Sequence, residues 1–312
     1  MPMNEIDGIL KGIREGNPRT IGRAISAIEE GNHRAAAILQ GINEGCVQAA
    51  TILGITGPPG VGKSTLINQL ISHYRIHGKR VGIVAIDPSS PVSGGAILGD
   101  RIRMMRHAKD PDVIIRSMST RGRVGGLCAA AGSAAKIMAC SGCNPVIVET
   151  VGIGHTEIDI VGLADIIVFV LAPGFGDDVQ AMKAGLIEMA DVLVVNKADH
   201  AGADALILDL EYAIQGRDCQ VCSTIATESS GIENLANIIG NIAQKKRQTG
   251  QFIQKREKML ESEILHRAVE LMRTKLKDRL MAQEEQIIGD TQDIACKLVE
   301  EVCVTQRESK KR

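Results

Sequence analysis

Residues 57–65 read Gly57-Pro58-Pro59-Gly60-Val61-Gly62-Lys63-Ser64-Thr65 and fit the pattern G-x-x-x-x-G-K-[ST]. An apolar run at 51–56 precedes them, and a helical pattern at 63–77 follows. Glycines let backbone N–H groups turn inward around phosphate oxygens, and a helix N-terminus adds positive potential at the same point. The stretch therefore predicts a nucleotide phosphate-binding loop, in which Lys63 reaches the β- and γ-phosphates and Ser64 binds Mg²⁺.

Seven short apolar runs alternate with helical patterns between residue 51 and about residue 245. Each run is continuously apolar, as expected for parallel strands that are covered on both faces. The alternation predicts an α/β domain with a doubly wound, mostly parallel sheet. The runs are 51–56, 80–86, 113–118, 145–149, 166–171, 192–195 and 220–224.

Helical patterns flank this domain on both sides. We expect an N-terminal helical segment at 1–50, the α/β domain at 51–245, and a C-terminal helical arm at 246–312. The N-terminal segment should hold three short helices: the second begins after Asn17-Pro18, an N-cap followed by proline at the first helical position, and the third spans about 33–43. In the arm, apolar residues recur at three- and four-residue steps, and a further helix is expected at 294–304. Such a stripe must be buried, either by folding back on the core or by packing against a second subunit. The stripe consists of Met259, Leu260, Ile264, Leu265, Ala268, Leu271, Met272, Leu276 and Leu280.

Composition excludes several classes of protein. Lys plus Arg is 36 and Asp plus Glu is 37, so the net charge of −1 gives no general attraction to nucleic acid or to an anionic membrane. No run approaches the ~18 apolar residues of a membrane span, and residues 1–7 do not resemble a secretory signal. We therefore expect a cytoplasmic protein without nucleic-acid or membrane partners.

Eight cysteines include two closely spaced pairs, Cys140/Cys143 and Cys219/Cys222. In the cytosol thiols stay reduced, and two such pairs could form a four-thiolate zinc site. The pairs are far apart in the chain, and each lies just before or within an apolar run. This placement favours small buried side chains over metal or redox use.

Acidic residues follow two of the predicted strands. Asp87 ends the run at 80–86 and Glu149 ends the run at 145–149, so both lie where ligands bind in this architecture. Asp100 follows a glycine-bearing loop. Oxygen ligands suit Mg²⁺, although each acid could also be a helix cap or a solvated charge. His155 lies where a residue that positions the attacking water is expected, but the sequence is equally compatible with an ordinary histidine in a surface loop.

The tetrapeptide Asn196-Lys197-Ala198-Asp199 follows the run at 192–195. The pattern N-K-x-D after a strand is the guanine-reading signature of GTPases. The Asp199 carboxylate can accept hydrogen bonds from the N1–H and 2-amino groups of guanine, a pair of donors that adenine lacks. Together with the phosphate-binding loop, this pattern favours GTP over ATP.

These motifs, in this order, resemble the MeaB/ArgK-type P-loop GTPases, which are associated with methylmalonyl-CoA mutase. The resemblance covers about residues 20–245. It rests on five blocks: the phosphate loop 54–65, the first switch at 87–91 and 94–104, the second switch at 149–154, the stretch at 176–191, and the base-reading sequence 196–199. The segment 155–157 departs from the family, with His-Thr-Glu in place of the usual Gln-Ser-Glu.

The resemblance implies a GTPase that gates adenosylcobalamin loading and protects a cobalamin-dependent acyl-CoA mutase. It also implies a homodimer formed through the C-terminal arm. Mg²⁺ would be held by Ser64, Asp87, Asp100 and Glu149, and the catalytic residues would be Lys63, Asp100, Arg103, Glu149 and Lys183. Alignment back from Gly231 places Ile225, Ala226 and Thr227 in the last guanine-binding loop.

Three other functions are compatible with a nucleotide site. A metallochaperone GTPase would explain the cysteine pairs, but the sequence has no His-rich tract and no Cys-His pair beside the second switch. A transport-associated kinase would need a phosphoacceptor site, which no motif marks. A purely structural nucleotide binder would not require the set of acidic residues described above.

Overall fold

The computed structural model describes residues 3–87, 105–107, 109–119, 126–150, 160–174, 186–281, 290–292, 295–296 and 299. A seven-stranded sheet lies at the centre of this part of the chain, with the order β3-β2-β4-β1-β5-β6-β7, and every neighbouring pair is parallel. All seven predicted strands are confirmed. Their bounds are β1 Ile52–Thr56, β2 Val81–Asp87, β3 Val113–Ser119, β4 Val146–Thr150, β5 Ile166–Leu171, β6 Val192–Asn196 and β7 Gln220–Thr224.

The structure describes ten α-helices. Seven precede β6: α1 Met3–Arg14, α2 Pro18–Glu29, α3 His33–Gln40, α4 Glu44–Ala49, α5 Lys63–Ile76, α6 Gly126–Cys140 and α7 Leu186–Met189. The other three are α8 Ala203–Ala213, α9 Ile232–Gln248 and α10 Gln251–Met281. Short 3-10 turns lie at Met105–His107 and Ile160–Gly162.

Helices cover both faces of the sheet, which explains why its strands are continuously apolar. On one face, α1–α4 and α6 pack on the half of the sheet that contains β2 and β4, and α7 and α8 pack on the half that contains β6. On the opposite face, α5 and α9 cover β1, β2 and β5. These layers confirm the predicted doubly wound α/β architecture.

The N-terminal segment forms four helices, one more than the sequence analysis predicts. Asn17 caps α2 by accepting hydrogen bonds from the amides of Arg19 and Thr20, as the Asn17-Pro18 signal predicts. The third predicted helix, at 33–43, ends early at Gln40, and the Asn43 side chain instead caps the short helix α4. Helix α4 leads directly into β1 and therefore toward the phosphate loop.

A buried cluster of charges joins the start of α10 to the edge of the sheet where the strands begin. Asp165 is 1% exposed, and its carboxylate accepts hydrogen bonds from the Ile52 amide (2.8 Å) and from Arg256 Nη2 (2.6 Å) and Nε (2.7 Å). Arg256 also donates to the carbonyl oxygens of Val47 and Ala50. The ion pair between Asp165 and Arg256 thus holds the α4–β1 connection against the start of α10.

The chain divides into two compact units, Met1–Glu257 and Lys258–Arg312. In the second unit α10 continues to Met281, and much of its predicted apolar stripe is exposed in the single chain: Leu260, Ile264, Leu265 and Leu271 are all at least half exposed. The further helix expected at 294–304 lies largely outside the described residues. The division into 1–50, 51–245 and 246–312 stays a prediction.

Candidate nucleotide-binding site

The phosphate loop connects β1 to α5 at the carboxyl edge of the sheet. Gly57 has φ +143°, and a Cβ there would collide with the carbonyl oxygen of Val170 on β5. Gly62 has φ +93°, and a Cβ there would lie 2.5 Å from Asn196 Nδ2. Only glycine suits these two positions, because both the backbone conformation and the close approach exclude a side chain.

Helix α5 begins at Lys63, and its N-cap is Gly62, which has no side chain to cap the helix. The first backbone amides of the helix therefore face the loop, an arrangement that suits an anion. Lys63 is buried, and its Nζ donates to the carbonyl oxygens of Gly57 (2.6 Å) and Pro58 (2.9 Å). The ammonium group thus lies inside the curve of the loop.

Two of the predicted magnesium ligands are in contact. Ser64 Oγ donates to Glu149 Oε1 over 2.9 Å, and Glu149 is 2% exposed at the end of β4. This contact follows from the strand order, because β4 pairs with β1 and Glu149 is in register with Ile55. Asp87 ends β2, the other neighbour of β4, but its side chain lies outside the described part of the structure.

A buried hydroxyl pair links the residues next to these two elements. Thr150 Oγ1 donates to Thr56 Oγ1 over 2.8 Å, and both residues are at most 1% exposed. Thr56 directly precedes the phosphate loop and Thr150 directly follows Glu149. The pair therefore holds the ends of β1 and β4 in a fixed relation, which the sequence analysis does not predict.

The side chain of Asn196, at the end of β6, contacts the phosphate loop, the end of β7 and the loop that follows β7. Its Nδ2 donates to the carbonyl oxygen of Val61 in the phosphate loop over 2.8 Å. Its Oδ1 accepts from Thr224 Oγ1 and from the Ala226 amide, each over 3.1 Å. Since Asn196 is buried, these contacts satisfy its amide and fix the base-reading segment against the phosphate loop.

The two remaining polar residues of the base-reading tetrapeptide are more open. Lys197 has φ +57°, and its Nζ donates to the carbonyl oxygen of Gly60 over 2.8 Å. The side chain of Asp199 is 49% exposed and lies 3.7 Å from His200 Nε2. A carboxylate in this position remains accessible to the edge of a base.

The last predicted loop follows β7. Ala226 is buried, its amide donates to Asn196, and its carbonyl oxygen accepts from Gln69 Nε2 of α5 over 2.9 Å. Thr227 is exposed, and the Ile225 amide donates to the carbonyl oxygen of Ser230. The loop is thus anchored at both Asn196 and Gln69, and no sequence motif points to Gln69.

Several predicted site residues lie outside the described residues. They are Asp100, Arg103, His155 and Lys183, together with most of the two predicted switches. Their proposed roles are untested by the structure. Among the described residues, no helix is long and apolar enough to cross a bilayer, and no group of three or more His, Cys, Asp or Glu side chains could hold a metal ion.

The fold and this arrangement of loops define a P-loop protein of the GTPase class. The sequence-family model described as methylmalonyl-CoA mutase-associated GTPase MeaB matches residues 21–285 of this chain. The chain therefore belongs to that family. The resemblance inferred from the motifs is therefore confirmed.

Relatives agree with this assignment. A candidate GTPase of Pyrococcus abyssi is 45% identical over 268 residues, which span 83% of this chain and 82% of the relative. GTPase ArgK of Escherichia coli is 36% identical over 61% of this chain and 58% of its own length. The mouse mitochondrial homologue of methylmalonic aciduria type A protein is 33% identical, over 62% of this chain and half of its own length.

Solved structures show the same fold. The crystal structure titled LAO/AO transport system kinase superposes with a TM-score of 0.69 at 22% identity, over 97% of this chain and 99% of the other. HypB from Helicobacter pylori, solved with nickel, gives a TM-score of 0.50 at 15% identity over 68% of this chain and 94% of the other. At these identities the likeness concerns the fold alone.

Proposed function

We propose that this protein binds and hydrolyses GTP in the cytoplasm and acts as a nucleotide-controlled chaperone of a cobalamin-dependent acyl-CoA mutase. In this role it gates the loading of adenosylcobalamin and protects the mutase. The observation that carries the nucleotide part is the Asn196 side chain, which joins the phosphate loop to the predicted base-binding loops. The mutase part rests on the family to which the chain belongs.

The phosphate loop would bind the triphosphate through backbone amides, the α5 N-terminus and Lys63. The ammonium group now donates to two loop carbonyls at 2.6 and 2.9 Å. Phosphate oxygens are stronger acceptors for a cation than neutral carbonyls, so a bound triphosphate would take over these hydrogen bonds. Lys63 then offsets negative charge at the bond that is cleaved.

The donor set beside the loop fits Mg²⁺, because a hydroxyl and a carboxylate lie 2.9 Å apart at the carboxyl edge of the sheet. Ser64, Asp87, Asp100 and Glu149 are the residues that would hold the ion. When bound, Mg²⁺ would neutralise charge on the phosphate oxygens. Glu149 itself accepts the Ser64 hydrogen bond, and we assign Asp100, Arg103 and Lys183 to catalysis and coupling on the family resemblance.

Guanine recognition is assigned to Asp199, with Lys197 along the base plane and a backbone N–H of residues 225–227 donating to guanine O6. The Asp199 side chain is half exposed, so it can meet the base without breaking a buried contact. Hydrogen bonds from two guanine donors to one carboxylate discriminate strongly against adenine, because adenine would leave the carboxylate poorly paired.

Assembly is the remaining part of the proposal. The exposed apolar residues of α10 recur on a helix that ends at Met281, and Leu265 is 67% exposed in the single chain. Burying such residues against a second copy would remove apolar surface from water. We therefore assign α10 to a homodimer interface, as the resemblance implies.

The experiment compares turnover of GTP, ATP and XTP by the full chain in Mg²⁺. Wild type should prefer GTP. Asp199→Asn should lose about 10- to 100-fold in affinity for GTP and gain XTP, because an amide can donate to the 2-oxo group of xanthine. Asp204→Asn, on the neighbouring helix α8, is the matched control. Unchanged nucleotide preference in Asp199→Asn would contradict the assignment.

A further inference from the structure

Cys140 lies near Cys46, which is 94 positions earlier in the chain. Cys140 ends α6, and Cys46 lies in the short helix α4, which packs against α6. The carbonyl oxygen of Asn43 accepts from the Cys46 amide over 3.0 Å and from Cys140 Sγ over 3.5 Å. Both cysteines therefore meet at Asn43, and the Cys46 thiol is close enough to the Cys140 thiol to raise its pKa.

Cys143, which is only three positions from Cys140 in the sequence, makes a different contact. Its Sγ lies 3.5 Å from Ser141 Oγ, and its side chain is fully buried next to Gly82 of β2. Both thiols are buried, as the sequence analysis favours, but the chain turns at Ser141 and Gly142, so the two side chains have different neighbours.

We propose that Cys46 and Cys140 form a dithiol site that closes to an intramolecular disulfide under a small disulfide oxidant such as glutathione disulfide. Cys46 is partly exposed and reacts first: its sulfur attacks the oxidant, one sulfur–sulfur bond breaks, and one small thiol leaves. The Cys140 sulfur then attacks Cys46 and releases the second small thiol. Two protein thiols are oxidised by two electrons in total, and one disulfide is reduced to two thiols.

The surroundings of the pair indicate a slow reaction. Burial and the neighbouring Cys46 raise the pKa of the Cys140 thiol to about 12, so little thiolate is present at neutral pH. Incubation for many hours at about pH 8 in a glutathione buffer is therefore needed to reach equilibrium.

The bond would join α4 and α6, each of which leads into a strand that ends at the nucleotide site. Helix α4 leads into β1 and the phosphate loop, while α6 packs against β2 and β4. A cross-link between residues 46 and 140 closes a long loop that contains the phosphate loop and the β2–β3 region. Such a bond restricts the unfolded chain and should raise the melting temperature by roughly 5–10 °C.

Peptide mapping of the full-length protein tests the proposal. After alkylation of remaining thiols, cleavage at Lys and Arg gives peptide 35–63, which contains only Cys46, and peptide 137–183, which contains Cys140 and Cys143. We expect a 35–63/137–183 linkage in protein of monomeric mobility on a non-reducing gel. Fragmentation of the linked peptide should place the bond at Cys140, and reductant should remove both the bond and the rise in melting temperature.

Variants separate the alternatives. Cys143→Ala should keep the linkage and the rise in melting temperature, and Cys46→Ala should lose both. A bond between Cys140 and Cys143, a bond only between chains, or no bond after prolonged oxidation would overturn the proposal. None of these measurements uses a nucleotide, so their failure is distinct from failure of the proposed GTPase function.

Discussion

At the scale of single residues, Lys63 is the cation that the fold places inside the phosphate loop. Lys63→Ala should weaken GTP binding by at least ~100-fold or abolish turnover, because it removes a buried, charge-assisted donor to the phosphates. Nucleotide affinity and phosphate release would be measured on protein whose melting temperature shows that it is folded.

Lys79→Ala is the matched control for this variant, since Lys79 lies beyond the opposite end of α5 and contacts the Tyr74 ring. It should retain wild-type turnover. A Lys63→Ala protein that hydrolyses GTP at the wild-type rate would show that residues 57–65 do not bind the triphosphate.

The sequence was sufficient to find residues whose roles depend on a local pattern. Lys63, Ser64 and Asn196 occur in short motifs, and the structure places all three at one edge of the sheet. Gln69 and Thr224 could not be found in this way, because each acts through a contact with a distant segment. A single glutamine on a helix forms no recognisable sequence pattern. Its partner, the Ala226 carbonyl oxygen, comes within reach only when the loop after β7 is folded.

At the scale of secondary-structure elements, the strands were predictable because parallel strands buried on both faces are continuously apolar. Helix α4 was not predictable from periodicity, because it has only six residues, one of which is Gly45. The contact between Cys46 and Cys140 depends on that helix. Sequence patterns therefore predict the strands, but they do not predict which side chains two separate helices bring together.

The start of α10 provides a prediction about pH. Burial, with Lys246 as a like charge nearby, lowers the pKa of Lys255 to about 8, and its Nζ donates to the carbonyl oxygen of Asp165 over 3.2 Å. The unfolded chain holds this proton to a higher pH. Between about pH 8 and the ordinary lysine pKa of about 10.4, this group therefore makes the free energy of unfolding rise with pH.

Lys255→Met should remove that contribution. At pH 7 the variant should be more stable than wild type by on the order of 1–3 kcal/mol, and the difference should shrink by roughly 1–2 kcal/mol at pH 9.5. Urea denaturation at the two pH values measures both quantities. Lys258→Met, at an exposed position three residues further on, is the control, and an equal response in the two variants would refute the role of Lys255.

At the scale of the whole molecule, the apolar face of α10 predicts self-association. Leu265 is 67% exposed, and Met272 lies seven residues further along the same helix, close to two full turns. Changing Leu265 and Met272 together to glutamate should shift the protein toward monomer, because charges are costly to bury in an apolar interface. Sedimentation at several protein concentrations gives the dissociation constant.

A single Lys275→Glu variant changes an exposed charge on the same helix and should leave the assembly state unaltered. If wild type is monomeric at micromolar concentration, or if the double variant associates as strongly as wild type, then α10 does not form the interface. Turnover of GTP by the monomeric variant would show, in addition, whether the nucleotide site is complete in one chain.

The final prediction concerns coupling to the mutase. Nucleotide can control the complex only if the mutase distinguishes the GTP-bound from the GDP-bound chaperone, and that coupling is reciprocal in binding free energy. The mutase should therefore bind with different affinity in the presence of GDP and of a non-hydrolysable GTP analogue. We also expect it to change GTP turnover, because it would contact the segments that surround the γ-phosphate. A Lys63→Ala chaperone should lose the difference between nucleotides even where it still binds the mutase, since its phosphate loop no longer reports the nucleotide state. Binding that is equal under both nucleotides, with unchanged turnover, would separate the GTPase from this partner and leave the nucleotide chemistry of residues 57–65 and 196–199 to serve a different one.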